Sequence, residues 1–375
     1  MKIVFTGGGT GGHFYPIIAI AEKVNQIIDR DKIVQAKLYY FSDDPYDKAA
    51  LFDNGITFKQ IPAGKMRVYF SVQNFFDMFK TFTGVVKAVF ALFAIFPDVV
   101  VGKGGYSSFP TLLAARILGI PVVIHESDSY PGRVNVWAGK FARRVAVSFQ
   151  EAAQYFPKKT VAWSGQPIRD EIAQSAKEGV FEFFNLDKNI PVVLVLGGSL
   201  GAQVINDAII DSLPKLVSNY QVLHQTGIKN FEEVKNTAEI VLGDNPNKAH
   251  YKPFPFMNNL QLRMAAGAAT VAISRGGSMI FEIASWGVPA IIIPITKTNG
   301  DHQRKNAYTF AAAGAGEVME EANLTGSVLA SELEHLVSNK SRLELMKKNA
   351  EAFTQKDAAL HIAEEIVGIA LSHEK

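Results

Sequence analysis

Ile3-Val4-Phe5-Thr6-Gly7-Gly8-Gly9-Thr10-Gly11-Gly12-His13 is the stretch on which the reading of the fold turns. An apolar run of strand length stops at a cluster of glycines, and a helical pattern at 17–28 follows it. Such a junction aims backbone N–H groups and the positive end of a helix dipole at an anion. The arrangement recurs in the second half, where Val192–Leu196 runs into Gly197-Gly198-Ser199-Leu200-Gly201-Ala202. Two such phosphate-cradle patterns predict two α/β domains, each a doubly wound Rossmann-like unit, with phosphate-bearing ligands in a cleft between them.

Working outward, the first half alternates short apolar runs with helical patterns. Strands are expected at Lys2–Thr6, 37–41, Val99–Gly102, 122–125 and Arg144–Val147, with a helix at 109–118 closed by Gly119-Ile120-Pro121. The second half repeats the plan at Val192–Leu196, Gln221–Gln225, 270–274 and 290–294, and Gly287-Val288-Pro289 punctuates it in the same way. The domains are expected at 1–163 and 164–345, with a terminal helix at 346–375 packing back on the first. No low-complexity tract or short repeat interrupts this plan.

The 375 residues suffice for two cores, and 48% hydrophobic with 20% charged residues describes a soluble globular chain. With no cysteine, disulfides, thiolate metal sites and cysteine nucleophiles are excluded. No secretory leader pattern opens the sequence, and cysteine absence fits the cytosol. The net charge of +2 is unevenly spread: residues 1–163 hold 19 Lys and Arg against 12 Asp and Glu, and the remainder 19 against 24. A basic first half points to an anionic partner such as lipid phosphate, a membrane surface or nucleic acid, or is simply a solvated basic face. Phe70, Phe75, Phe76, Phe79, Phe82, Phe90, Phe93 and Phe96 lie there with Lys65, Arg67, Lys80 and Lys87 interleaved. The apolar run after Lys87 reads as too short to cross a bilayer. A face dipping into lipid headgroups and an ordinary core helix both remain open.

Chemistry-bearing residues collect where strands end. His13, at the mouth of a helix beside an anion cradle, suits a general base near neutral pH, or a capping residue. Gly102-Lys103-Gly104-Gly105-Tyr106 can form an anion nest with Lys103 as a point charge. Glu126 and Asp128 in His125-Glu126-Ser127-Asp128 are candidate bases or polar contacts. In Ser274-Arg275-Gly276-Gly277-Ser278 the glycines let a diphosphate approach a helix N-terminus, and Glu282 one turn in can accept from vicinal ribose hydroxyls. The polar 300–306 segment is long enough to reach across a cleft. No His and carboxylate cluster has metal-ligand spacing, and Asp29-Arg30-Asp31 reads as a turn at the wrong edge of the sheet.

Taken together these blocks resemble the MurG family of peptidoglycan N-acetylglucosaminyltransferases, in order and over nearly the whole chain. The resemblance rests on Thr10-Gly11-Gly12-His13 with Pro16, Gly104-Gly105-Tyr106 with Ser108 and Pro110, and His125-Glu126 with Pro131-Gly132 and Asn135. It continues through Pro167 and Arg169, Gly197-Gly198-Ser199, Phe256-Met257, Gly276 with Glu282, Gly287 with Pro289, and His302-Gln303 with Asn306-Ala307. It implies a two-domain GT-B fold and inverting transfer, without metal or cofactor, from UDP-N-acetylglucosamine to the C4 hydroxyl of undecaprenyl-diphosphate-linked N-acetylmuramoyl-pentapeptide. The enzyme would work peripherally at the cytoplasmic face of the membrane, on an anionic lipid surface rather than nucleic acid. The donor site implied comprises Arg169, Ser199, Met257, Gly276, Gly277, Ser278, Glu282, Gln303 and Asn306, with Thr10, Gly11, Gly12 and Asp128 beside it. The acceptor diphosphate would sit on Gly9, Lys103, Gly104, Gly105 and Tyr106, with His13 as first choice of base ahead of Glu126 and Asp128. Departures from the family pattern are Asp128 and Gln166 where Asn is usual, Leu200 for Gln, Met279 for Thr, and an arginine displaced by one residue at Arg275. Other readings are a related enzyme with a different lipid acceptor, a sugar-nucleotide 2-epimerase, a dehydrogenase with Asp43 on the ribose, and a nucleotide sensor.

Overall fold

The computed structural model describes residues 1–65, 72–198, 201–296 and 300–372. Ser199, Leu200, Arg67 and Phe70 therefore lie outside the described residues. The chain divides into two compact units, Met1–Arg169 with Gln355–Lys375 and Asp170–Thr354.

In unit 1 the strands β1 (Lys2–Thr6), β2 (Lys37–Ser42), β3 (Ile56–Gln60), β4 (Val99–Gly102), β5 (Val122–Glu126), β6 (Arg144–Val147) and β7 (Val161–Trp163) form a parallel sheet. Its spatial order is β3-β2-β1-β4-β5-β6-β7. β4 and β5 are buried along their whole length, as helices on both faces of a parallel sheet require. The long helices are α1 (Gly11–Arg30) after β1 and α3 (Val72–Ile95) between β3 and β4. Shorter ones are α2 (Lys48–Asp53), α4 (Phe109–Ile117) and α5 (Arg133–Gly139). The last helix of the chain, α14 (Ala358–Leu371), belongs to this unit. Its Ile362, Ile366 and Ile369 enter the same core as Ile17, Ile20 and Val24 of α1.

Unit 2 repeats the plan with β8 (Val192–Leu196), β9 (Gln221–Gln225), β10 (Tyr251–Phe254), β11 (Val271–Ser274), β12 (Ala290–Ile292) and β13 (Gly316–Val318), in the order β10-β9-β8-β11-β12-β13. Its helices are α6 (Val180–Phe183), α7 (Gln203–Asn219), α8 (Phe231–Leu242), α9 (Asn259–Ala268), α10 (Met279–Ser285), α11 (His302–Ala312), α12 (Gly326–Ser338) and α13 (Lys340–Phe353). The core joins Val193 and Val195 of β8 to Ile205, Ile209 and Leu213 of α7 and Leu329 and Leu333 of α12.

α3 resolves the question left open by its phenylalanines. Gly84, Ala88, Ala91 and Leu92 recur at helical spacing and are buried, whereas Phe75, Phe79, Phe82, Val86, Phe90 and Phe93 recur on the opposite face and are 40–71% exposed. A Cβ at position 84 would collide with the carbonyl oxygen of Pro62, so glycine is what lets the helix seat this closely. The helix thus buries its small residues and presents its large ones, which rules out the core-helix reading. The apolar run after Lys87 is short, as expected, although the wider stretch Phe75–Ile95, 21 residues with Lys80 and Lys87 inside it, is long and apolar enough to cross a bilayer by length and composition alone. The helix nevertheless lies between two parallel strands of one sheet, β3 and β4, as the crossover of a βαβ unit does.

Candidate functional site

In an open parallel sheet a ligand crevice forms beyond the strand C-termini where the strand order reverses. That point lies between β1 and β4 in unit 1 and between β8 and β11 in unit 2. The four junctions are the four glycine turns singled out from the sequence.

In unit 1 the turns after β1 and β4 are built against each other. Gly8 has φ +135°, and a Cβ there would lie 2.7 Å from Ser42 Oγ and 2.9 Å from Tyr40 Oη. A Cβ on Gly105, φ +78°, would lie 2.9 Å from the carbonyl oxygen of Gly8. Side chains are excluded at both positions, so backbone faces backbone. Tyr40 Oη donates to the Gly7 carbonyl at 2.8 Å, and the Lys103 N–H donates to Thr6 O at 2.8 Å. α1 opens at Gly11 behind an extended Thr10, with no acidic residue in its first turn to oppose an incoming anion. Thr10 Oγ1 lies 3.0 Å from Nδ1 of His13. If Nδ1 carries the hydrogen, Nε2 keeps a lone pair for a proton. Thr10, Gly9 and His13 keep solvent access.

Tyr106 starts the short turn after β4. Its hydroxyl donates to Asp43 Oδ2 at 3.3 Å, and Lys80 of α3 reaches the same oxygen at 3.8 Å. Burial, then the Asp43 carboxylate, pushes the Tyr106 hydroxyl up to about 12, so it stays a donor at neutral pH. Asp43 stands at the end of β2, where a dinucleotide-binding fold carries its ribose acid, but here it is held by Tyr106 and Lys80. Arg169 stacks its guanidinium 4.0 Å over the ring of Tyr15 in α1.

The structure separates the two carboxylates after β5. Glu126 is buried, and its carboxylate accepts from the Asp128 N–H at 2.9 Å, the Gly132 N–H at 3.0 Å and Asn135 Nδ2 at 2.9 Å. Burial raises its pKa, with Asp128 adding to the effect and Lys103 opposing it. Three donors on a buried carboxylate make Glu126 the buckle of the 128–132 loop. Asp128 is half-buried at the loop's start. Lys103, expected as a point charge for a phosphate, is instead buried with its Nζ on Ser127 Oγ at 2.6 Å.

In unit 2 the turn after β11 is held from behind. A Cβ on Gly276 would collide with the carbonyl oxygen of Gln303, and Asn306 Nδ2 donates to the Gly276 carbonyl at 3.0 Å. Gln303 Oε1 accepts from the Ile295 N–H at 3.3 Å. Asn306 is therefore a brace for the turn, with its side chain buried. Arg275 also turns inward, pairing with Glu321 at 2.6 Å and donating to Ile293 O at 3.0 Å. Burial opposes ionisation of Glu321, but bonds from Thr296 and Arg275 outweigh it and hold its pKa down. Gly277 and Ser278 keep solvent access, and Glu282 lies half-buried in the first turn of α10.

Sequence reasoning missed Gln225. Buried at the end of β9, it accepts from the Met257 N–H at 3.0 Å and donates to Gly198 O at 3.4 Å. It thereby joins the glycine turn after β8 to the Phe256-Met257 loop. Its neighbour His224 sits between Asn206 at 3.0 Å and Tyr251 at 2.9 Å, and burial lowers it to about 3, so it is neutral. The position of Gln225 at the C-terminal end of a strand beside the switch point was the signal available.

Residues 3–147 match the glycosyltransferase family 28 N-terminal domain, and residues 192–362 match the family's C-terminal domain. A UDP-N-acetylglucosamine–N-acetylmuramyl-(pentapeptide) pyrophosphoryl-undecaprenol N-acetylglucosamine transferase of Treponema denticola is 35% identical over 386 residues, covering 96% of each chain. Among solved structures, MurG of Acinetobacter baumannii superimposes with a TM-score of 0.74 at 25% identity over 98% of this chain and 99% of that one. A UDP-GlcNAc 2-epimerase of Neisseria meningitidis reaches a TM-score of 0.69 at 15% identity over 98% of this chain and 100% of that one, a likeness of fold alone.

Proposed function

The chain belongs to glycosyltransferase family 28, and from that membership we propose that it moves N-acetylglucosamine from UDP-N-acetylglucosamine to the C4 hydroxyl of undecaprenyl-diphosphate-linked N-acetylmuramoyl-pentapeptide. The fold is GT-B, and the reaction is a hexosyl transfer of peptidoglycan synthesis, hence of cell-wall growth, shape and division. The observation that carries the reading is its span: both family domains match in order, and a relative named for this transfer aligns end to end.

The residues divide the work as follows. The acceptor's C4 oxygen attacks the anomeric carbon of the donor, the bond from that carbon to the diphosphate oxygen breaks, and configuration inverts. His13 Nε2 takes the hydroxyl proton as the bond forms. The leaving UDP is received by N–H groups of the Gly276–Ser278 turn, and the Ser199 hydroxyl donates to a phosphate oxygen. Glu282 accepts from the ribose hydroxyls. Gln303, Asn306, Met257 and Gln225 support the donor turns, and Arg169 adds positive charge. The acceptor diphosphate lies on the backbone of Gly9–Gly12 and Gly104-Gly105, with the Tyr106 hydroxyl nearby. Asp128 faces sugar hydroxyls rather than phosphate. The exposed phenylalanine face of α3, with Lys80 and Lys87, rests on an anionic lipid surface and brings the enzyme to its lipid-borne acceptor.

Binding can be tested by thermal unfolding. At about 100 times its Kd, UDP-N-acetylglucosamine is expected to add about 2.7 kcal/mol, a shift of several degrees, while NAD adds nothing. Glu282→Ala is expected to weaken the donor about tenfold or more, since hydrogen bonds to a charged group contribute roughly 1.5–3 kcal/mol. Equal stabilisation by NAD, or unchanged donor binding by the variant, would count against the assignment.

A further inference from the structure

Behind the acceptor-side loops runs a chain of buried polar groups that the transfer chemistry above does not use. Lys103 Nζ donates to Ser127 Oγ at 2.6 Å. The Ser127 hydroxyl donates to Gln166 Oε1 at 2.6 Å, and that oxygen accepts a second hydroxyl from Ser148 at 2.7 Å. With its proton so directed, Ser148 Oγ accepts from His125 Nε2 at 3.2 Å. This fixes His125 as the Nε2–H tautomer and agrees with its Nδ1, a buried atom with no hydrogen-bond partner among the described residues. Burial, then Lys103, holds the His125 pKa well below its ordinary value, so the imidazole is neutral.

Lys103 is therefore the one cation of this chain of groups, and it is 1% exposed. Burying an ammonium is costly unless it is paired and hydrogen-bonded. Burial pushes its pKa down, and the charges of Glu126 and Asp128 act in the opposite direction. Those two carboxylates stand two residues apart, one of them buried, and Glu126 holds the Asp128 N–H. Without a cation they would repel, and a diphosphate on the neighbouring glycine turn would meet two negative charges rather than one. The same chain of groups accounts for Gln166, whose side chain is long enough to gather two hydroxyls from the loops after β5 and β6.

We propose that Lys103 is a positioning residue for the acceptor side of the transfer. Its buried ammonium offsets one charge of the Glu126–Asp128 pair and, through Ser127 and Gln166, holds the loop after β5 beside the glycine turn after β4. The proposal rests on reading those loops as the acceptor-diphosphate site.

The test compares the natural protein with Lys103→Met, Asp128→Asn and the double variant. Two quantities are read: the unfolding midpoint without ligand, and the KM for a short-chain lipid-diphosphate muramoyl-pentapeptide at saturating donor. Lys103→Met is expected to raise that KM about tenfold or more when Asp128 is intact. In the Asp128→Asn background the same change is expected to raise it less than about threefold, because the repulsion it exposes is then gone. The double variant is expected to unfold at a higher temperature than Lys103→Met alone. If Lys103→Met does not fold, the double variant still should. Equal penalties in both backgrounds, or failure of both proteins to fold, would overturn the proposal, since the lysine would then only fill space. Coupled midpoints with an unmoved KM in all four proteins would overturn the acceptor-site reading and leave the charge pairing standing.

Discussion

Alanine at position 13 is expected to lower turnover at saturating substrates by about 10²–10⁴, the usual contribution of a positioned general base. His13 is the third residue of α1, at the crevice between β1 and β4, and Thr10 Oγ1 lies 3.0 Å from its Nδ1. That contact can orient the ring so that Nε2 receives the acceptor proton. The donor's KM should change little, because the interaction removed is made in the transition state. Thr10→Val should lose less than His13→Ala, since it disturbs orientation and leaves the base. A loss below about tenfold for His13→Ala in a steady-state assay would remove this residue from the role.

The second large effect concerns the lipid surface. Replacing Phe79, Phe82 and Phe90 together by serine is expected to weaken binding to vesicles of anionic lipid about hundredfold. Fully burying one Phe side chain contributes roughly 1.5–3 kcal/mol, and partial immersion at headgroup depth gives about half of that for each ring. All three are more than half exposed, so the unit should fold as before, with Gly84, Ala88, Ala91 and Leu92 still seated. Turnover of a detergent-dispersed short-chain acceptor should stay within about threefold, because no altered residue lies in the site. The measurement is vesicle co-sedimentation at two salt concentrations. Unchanged binding would detach α3 from the membrane.

The central strands were legible because a parallel strand covered on both faces is a continuous apolar run. β1, β4, β5, β8 and β11 are all of that kind. The strands that went unread are β3, β7, β10 and β13, and they are the four sheet edges. β3 (ITFKQ) is half polar, β7 and β13 have three residues each, and β10 carries Pro253, whose missing N–H is tolerated at an edge. Edge strands give up the burial that makes the others visible.

At the site, glycine turns could be read because their backbone demands glycine whatever the ligand. The state of the polar side chains could not. Glu126 and Asp128 are two residues apart, yet one is sealed under three donors and the other keeps solvent access. Lys103 reads as a surface charge next to glycines until its burial is known. Asn306 and Gln225 look like ligands or like nothing, and both prove to hold the glycine turns of unit 2 in place. Whether a polar residue faces inward or outward is decided by long-range packing, which residue spacing alone does not carry.

The most direct measurement is transfer itself: radiolabelled UDP-N-acetylglucosamine incubated with the purified chain and a short-chain lipid-diphosphate N-acetylmuramoyl-pentapeptide, with the products separated and the new linkage identified. The account predicts one labelled disaccharide product, β-linked to the C4 oxygen, formed together with UDP and dependent on His13. Label that remains on the nucleotide as a 2-epimer, or never leaves it, would contradict the account.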